Sequence, residues 1–282
     1  EASRGYISYL RGENPISFPL RIMPRHDPSK IYDRGLRFMK LYASDIEGSQ
    51  RDIYYETHQS LLSDSGTLEN QQEHQLLQLG NMVYPGSSED VRELYGERAL
   101  ERCFSKTVVQ GTPTFRYREP ILRDYGEFMD SDIIGEYSSK IQTILREIEG
   151  SDGIVFIYSN WIYSGIIPFM LALEQNGYRK YKSNELLRSD HKREPISYEG
   201  IRKSKVKGKF KQAHYMMITG DSEGYSKHFE EEMKAVTSGE NKDGSIIKVI
   251  LGSRVASEGL DFKNIRSIHI LEPWHNLNRL EQ

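Results

Sequence analysis

The sequence predicts an α/β fold in which a parallel sheet is flanked by helices and preceded by an irregular connector and insertion. Two observations support this prediction. From about residue 137 onward, short continuous apolar runs alternate with segments of helical periodicity, which is the order of parallel strands joined by crossover helices. Before that point, turn-forming residues and weak periodicity replace this alternation.

Three regions are predicted along the 282 residues. Residues 1–35 are rich in glycine and proline, and we expect them to form an extended inter-domain connector. Residues 36–136 are expected to form an irregular insertion of mixed helix and strand, with one helix at 50–62. Residues 137–282 carry the regular alternation and form the predicted main domain.

The main domain begins with a helix whose apolar side chains at 141, 144, 145 and 148 share one face. Ser138 or Ser139 can cap its start, and Gly150 ends it. The elements predicted after this helix are, in order, a strand at 153–159, a helix at 162–176, a strand at 214–220, a helix at 222–236, and strands at 246–251 and 268–271.

Composition excludes several classes of protein. Apolar residues make up 37%, the 23 glycines bring this to ~45%, and charged residues make up 28%, which is normal for a folded globular chain. The longest uninterrupted apolar run, 166–173, is far shorter than the ~20 residues of a membrane span, so no membrane contact is expected. The single cysteine, Cys103, excludes an internal disulfide and a cysteine-based metal cage. We therefore expect an intracellular protein that is not secreted.

Charge is distributed unevenly along the chain. The net charge is −3, yet residues 188–211 carry +6, from nine basic and three acidic residues. Lysines at 203, 205, 207, 209 and 211 alternate as on one face of a strand. This basic segment could follow a phosphate backbone, or it could be a solvated insertion, and the sequence leaves both interpretations open.

Small polar residues follow three of the predicted strands. They are Ser159, Asn160, Thr219, Gly220, Ser253 and Arg254. Short side chains and glycines of this kind let backbone N–H groups approach a phosphate closely. Each pair alone could be ordinary turn chemistry. Because the carboxyl ends of parallel strands form one edge of a sheet, their repetition at successive strands indicates a ligand site there.

The segment after the third of these strands contains two further candidates. Gly259 can adopt positive φ, so the loop could fold back toward a ligand. Asp261 would then accept hydrogen bonds, for instance from ribose hydroxyls. The alternative is an ordinary strand-to-helix turn with Asp261 as a cap.

These segments resemble the motifs of superfamily 2 helicases. Residues 253–261 are similar to motif V, 278–282 to the start of motif VI, 154–160 to motif IV, and 217–220 to the strand that contacts nucleic acid. Residues 137–140 and 272–274 resemble the Swi/Snf-like branch, and 7–15 and 171–177 resemble helicases of large nucleocytoplasmic DNA viruses. The helicase-core resemblance covers roughly 137–282, and the viral resemblance extends toward residue 1.

The resemblance implies that 137–282 is a C-terminal RecA-like domain, truncated within motif VI, and that the chain is an internal fragment of a longer protein. Contacts to nucleic acid, DNA or RNA, would come from the six strand-end residues. Gly259 and Asp261 would contact ATP, and Gln282 would open the helix that bears the arginine finger. ATP and Mg²⁺ would be held mainly by an N-terminal RecA-like domain of the same chain, because no P-loop occurs within the 282 residues.

No catalytic set is complete within the sequence, so we expect no ATP hydrolysis from this chain alone. The parent would be an ATP-dependent helicase in the virion or the host cytoplasm. One alternative is a non-catalytic RecA-like docking domain of a viral transcription factor, with transcription machinery as its partner. The other is the motor subunit of a restriction-type enzyme.

Overall fold

A computed structural model of the chain describes residues 44–65, 70–220, 225, 228–257, 262 and 264–272. They belong to one compact unit that starts at Ser44. The predicted connector at 1–35 lies outside these residues. Within them, no helix combines the length and the apolar character that crossing a membrane requires.

The region predicted as an irregular insertion contains well-formed elements. They are the helices α1 (Gly48–Ser65), α2 (Asn70–Asn81), α3 (Gly96–Cys103) and α4 (Glu119–Tyr125), and the antiparallel hairpin of β1 (Phe104–Val109) and β2 (Thr112–Tyr117). The hairpin turns through Gln110 and Gly111, whose φ angles of 50° and 74° match the two positive angles of a type I′ turn. The predicted helix at 50–62 is present as the longer α1.

The sheet predicted for the main domain is confirmed. The strands of the sheet are β3 (Ile154–Tyr158), β4 (Arg179–Lys180), β5 (His214–Ile218), β6 (Val249–Gly252) and β7 (Ile265–Ile270). The helices of this region are α5 (Ser139–Glu149), α6 (Ile167–Gln175) and α7 (Phe229–Thr237). The five strands lie in the order β4-β5-β6-β3-β7, and every neighbouring pair is parallel. Flanked by helices, they give an α/β, RecA-like arrangement.

Local chemistry explains where these elements begin and end. The Ser138 hydroxyl accepts a hydrogen bond from the Ile141 backbone N–H at 3.2 Å, and Gly150 follows the last residue of α5, as predicted. A turn of π-helix at Ile162–Ile166 precedes α6. Strand β6 starts later than the predicted residue 246 because the Asn241 side-chain oxygen accepts the N–H groups of residues 246 and 247.

One apolar cluster joins the two parts of the described chain. It contains Phe104, Phe115 and Phe128 together with Ile157 of β3 and Leu171 of α6. The ring of Phe128 lies 5.5 Å, centroid to centroid, from that of Phe104. The domain boundary at 137 stays a prediction, and the structure adds that residues on both sides of it bury side chains in a common core.

The common core should respond strongly to the loss of a single side chain. Leu171 is fully buried, so Leu171→Ala is expected to lower the free energy of unfolding by about 2–5 kcal/mol in urea denaturation. Val108→Ala is the control, because Val108 is 68% exposed and the change should stay within about 0.5 kcal/mol. Equal losses for the two variants would contradict this description of the core.

Candidate functional site

Five of the six predicted strand-end residues line one cleft of about 290 Å³ at the carboxyl edge of the sheet. The cleft is lined by Asn160, Thr219, Gly220, Ser253 and Arg254, with Ile162, Tyr163 and Tyr225. Strands β3, β5 and β6 are neighbours in the sheet, so their ends bring residues that are distant in sequence to one place.

Backbone hydrogen bonds continue past the strands and hold the cleft loops together. The N–H of Ser253 donates to the carbonyl of Ile218 at 2.9 Å, and that of Ser159 donates to the carbonyl of Gly252 at 3.1 Å. A Cβ at Gly252 would lie 2.5 Å from the ring of Phe156 and 3.0 Å from the Cβ of Ala256, so a larger residue would force these side chains to shift. The loops therefore leave the sheet in a fixed geometry.

Thr219 carries the clearest sign of a ligand site. Its side chain lines the cleft, only 4% of the residue is exposed, and its hydroxyl oxygen has no hydrogen-bond partner among the described residues. An unsatisfied buried hydroxyl costs about 1–3 kcal/mol, so most native structures avoid it. A ligand in the cleft that offers a hydrogen-bonding group would remove this cost.

Ser159 is placed differently from the prediction. It is fully buried, and its hydroxyl donates to the carboxylate of Glu272 at 2.9 Å to Oε1 rather than lining the cleft. The physical reason is that Glu272, at the end of β7, needs donors once it is buried. Residue 159 therefore lies behind the cleft, and Asn160 is the residue of this pair that lines it.

The Glu272 carboxylate is the centre of a buried polar network. It accepts hydrogen bonds from the backbone N–H of Asn160 and from the Asn81 side chain, the latter at 2.6 Å. The ammonium of Lys140 donates to Asn81 Oδ1 at 2.9 Å and to the Leu271 carbonyl at 2.6 Å. The network thus connects the ends of α2, β3 and β7 with the first turn of α5.

Burial shifts the pKa values of both charged members of this network toward neutrality. Desolvation raises the pKa of Glu272, against the opposing effect of its donors and of Lys140. Desolvation likewise lowers the pKa of Lys140, against the opposing charge of Glu272. Glu272 therefore favours the ionised form of Lys140, whereas the ionised form of Glu272 is favoured first by its hydrogen-bond donors and then by Lys140.

Two aromatic residues of the cleft were missed from the sequence, Tyr163 and Tyr225. The backbone carbonyl of Tyr225 accepts a hydrogen bond from the ammonium of Lys180 at 2.6 Å, and Lys180 forms a fully buried ion pair with Glu232. The only sequence signal for Tyr163 is its position just after a strand end. Tyr225 does not directly follow a strand, and its backbone is held beside the cleft by the hydrogen bond from the buried Lys180.

The residues predicted to contact ATP, Gly259, Asp261 and Gln282, lie outside the described part of the chain. Within the described ranges, no group of three His, Cys, Asp or Glu side chains could hold a metal ion. The carboxyl edge of the sheet therefore offers hydroxyl, amide and guanidinium groups and backbone N–H donors.

The chain is similar to helicases of large DNA viruses. It is 28% identical over 288 residues to a mimivirus protein named "Putative ATP-dependent RNA helicase R563", covering 100% of this chain and 39% of that protein. It is 30% identical over 292 residues to the "Termination factor NPH-I homolog" of African swine fever virus (isolate Warthog/Namibia/Wart80/1980), covering 99% and 38%. "Putative helicase 087L" of Invertebrate iridescent virus 3 matches over 151 residues at 27% identity, covering 52% of this chain and 13% of that protein. No protein-family model matches the chain.

Fold and relatives agree on the class of protein: an α/β, RecA-like chain related to viral helicases. The resemblance to helicases of nucleocytoplasmic DNA viruses that the sequence predicts is confirmed. The chain spans between 27% and 39% of the length of the curated relatives that it matches over its full length.

The raised pKa of Glu272 should make stability depend on pH. A carboxyl whose pKa is higher in the folded state stabilises that state when protonated, and this contribution is lost as pH rises through the folded pKa. The wild type should therefore lose free energy of unfolding, relative to Glu272→Gln, over the pH range above about 4, the ordinary pKa of a glutamate. Urea denaturation of both proteins across this range measures the difference. Parallel curves would show that Glu272 does not titrate as described.

Proposed function

We propose that this chain is the C-terminal motor domain of an ATP-dependent nucleic-acid helicase or translocase of a large DNA virus. In this proposal it contributes contacts to the nucleic-acid backbone and one face of the ATP site. The observation that carries the proposal is the cleft at the carboxyl edge, in which the buried Thr219 hydroxyl lacks a partner among the described residues. The similarity of this chain, over its whole length, to proteins of large DNA viruses that include a helicase supports the proposal.

The cleft suits a phosphate backbone better than base edges. Hydroxyls of Thr219 and Ser253, the amide of Asn160, the guanidinium of Arg254 and the backbone at Gly220 are the groups that position phosphates and sugars without reading sequence. Tyr158 donates to Asn160 Oδ1 at 2.8 Å and so orients the amide. A motor that moves along a strand needs contacts of this sequence-independent kind.

Ser159 acts in this proposal as a positioning residue. Its hydroxyl and the Asn160 N–H share the Glu272 carboxylate, so the loop after β3 is held from behind while its other side contacts the strand. This role replaces the direct nucleic-acid contact that the sequence predicts for Ser159.

ATP would be held between this domain and an N-terminal RecA-like domain of the same protein, which would supply the P-loop and hold Mg²⁺. Gly259 and Asp261 are the proposed contacts of this chain, and Gln282 opens the proposed arginine-finger helix. Closure of two lobes around a ligand commonly completes such a site and gates the reaction. Hydrolysis of ATP would then be coupled to movement along DNA or RNA.

A second function is favoured by one observation, the name of the African swine fever virus relatives, "Termination factor NPH-I homolog". A RecA-like domain could serve in transcription as a docking surface for other proteins without completing a catalytic site. In that case the cleft would not bind nucleic acid, and the two functions predict different results for a variant at Thr219.

Thr219→Val is expected to lower the affinity for a single-stranded oligonucleotide about tenfold, because a hydrogen bond to a charged phosphate is lost. The same change should raise the free energy of unfolding by about 1 kcal/mol, since it removes an unsatisfied buried hydroxyl. Fluorescence anisotropy measures the affinity and urea denaturation measures the stability.

The matched control for this test is Thr237→Val. Thr237 is exposed on α7, and its hydroxyl donates to the Met233 carbonyl at 2.8 Å, so the affinity should not change. Unchanged binding by Thr219→Val, with its stability raised, would reject the cleft as the nucleic-acid site and favour the docking function.

A further inference from the structure

We propose that exposed lysines at the amino edge of the sheet form a second nucleic-acid surface, separate from the cleft. We call it the lysine platform, and it consists of Lys203, Lys205, Lys207, Lys209 and Lys211. Its ligand is the phosphodiester backbone of DNA or RNA. The choice of nucleic acid as occupant rests on the proposed function, whereas the binding of a polyanion rests on the charges themselves.

The lysines of the platform are not held in ion pairs with described carboxylates. All five are exposed, and within the described ranges none has a carboxylate within ion-pair distance. Three other basic residues of the same segment behave differently: Lys192 pairs with Glu185 at 2.7 Å, Arg193 with Asp130 at 2.6 Å and Arg202 with Glu149 at 3.0 Å. The segment thus divides into cations that stabilise the fold and cations that face solvent together.

The backbone beneath the platform is fixed. Arg202 donates to the Asn176 carbonyl at 2.6 Å, and Gln212 donates to the Gly177 carbonyl at 2.9 Å. Isolated antiparallel bridges join 196 to 202 and 197 to 212. Residues 203–205 form a 3₁₀ turn rather than a strand, and the segment is held by hydrogen bonds at both ends. Pinned ends place the charges at a defined surface.

Aromatic rings lie among the lysines. The ammonium of Lys203 lies 5.9 Å from the ring centroid of Phe210, and that of Lys211 lies 5.6 Å from the ring centroid of Tyr198. Cations combined with aromatic faces are the composition of sequence-tolerant surfaces for single strands, since phosphates meet the charges and bases can stack on the rings.

Acidic groups near the platform are few and partly engaged. Glu194 accepts a hydrogen bond from Ser204 at 2.7 Å, Glu199 accepts one from Tyr198 at 3.2 Å, and Asp243 accepts one from the Ser245 N–H at 3.0 Å. They reduce the positive charge but do not contact the lysines. An acidic protein would meet the same lysines, yet it would make no use of the rings, so nucleic acid fits the surface better.

The platform and the cleft lie at opposite edges of the sheet. The basic segment leads into β5 at His214, whereas Thr219 follows the end of that strand. Five residues of strand correspond to roughly 17 Å at ~3.3 Å per residue. A strand of nucleic acid that fills the cleft therefore has to pass around the domain to reach the platform, and only a long ligand can occupy both.

The test uses the whole 282-residue chain and single-stranded oligonucleotides of about 8 and about 40 nucleotides, titrated by anisotropy over a salt series. In the platform variant, Lys205, Lys207 and Lys209 are changed to alanine. Each lost phosphate contact reduces the slope of log K against log salt by ~0.7 for a single strand, so the slope for the long ligand should fall by about two. Binding of the short ligand by the cleft should change little.

The control variant changes Lys106, Arg116 and Lys234 to alanine, which removes the same charge from exposed positions outside the segment. Its salt slope should match that of the wild type. An unchanged slope in the platform variant, or an equal fall in both variants, would overturn the proposal. A further result would also overturn it: polyaspartate binds to the wild type but not to the platform variant, and it displaces neither oligonucleotide. The occupant of the platform would then be an acidic protein.

Thr219→Val separates this proposal from the proposed function. Weaker binding by Thr219→Val with an unaltered platform variant rejects the platform and leaves the cleft in place. A reduced slope in the platform variant with unaltered binding by Thr219→Val supports the platform and rejects the cleft.

Discussion

The buried carboxylate of Glu272 is the contact on which the geometry of the cleft depends. It accepts hydrogen bonds from Ser159, Asn160 and Asn81, and Lys140 lies one hydrogen bond further away on Asn81. A buried charge is tolerated only when such partners surround it, and removing one partner leaves the others unsatisfied. The loop that lines the cleft at Asn160 is therefore fixed by residues from helices and strands that are remote in sequence.

The polar groups that hold the cleft loop have hydrogen-bond partners, whereas one hydroxyl that lines the cleft has none among the described residues. Thr219 is buried without a hydrogen-bond partner among the described residues, and it lies at the end of the strand next to β6. Backbone hydrogen bonds from Ser253 to Ile218 and from Ser159 to Gly252 hold the strand ends around it in place. The cost in stability falls on a residue that lines the cleft, a compromise common at binding sites.

The sequence predicts the regular half of the fold because its signals there are local. Continuous apolar runs mark β3 and β5, and Ser138 and Gly150 mark the ends of α5. The strand-end residues of the cleft follow from the topology of a parallel sheet alone.

What sequence reasoning missed depends on contacts between distant residues. Helix α2 is rich in glutamine and has a weak apolar face, so the sequence shows no clear helical periodicity there. Ser159 and Asn160 are both small polar residues after a strand, so the sequence does not distinguish them. Only the buried Glu272 shows that Ser159 lies behind the cleft and that Asn160 lines it. Tyr225 reaches the cleft through the buried Lys180, a contact that no local pattern encodes.

Helix α6 has a further consequence for the architecture. Every residue from Ile167 to Gln175 is buried, so this helix has no face for solvent. The sheet covers one flank, and the segment before residue 137 covers another, where Tyr117 also donates to Gln175 at 3.3 Å. Helix α6 thus lies between the sheet and the segment before residue 137. Truncation of the chain at residue 137 would remove the segment that covers α6 and expose apolar side chains that promote aggregation.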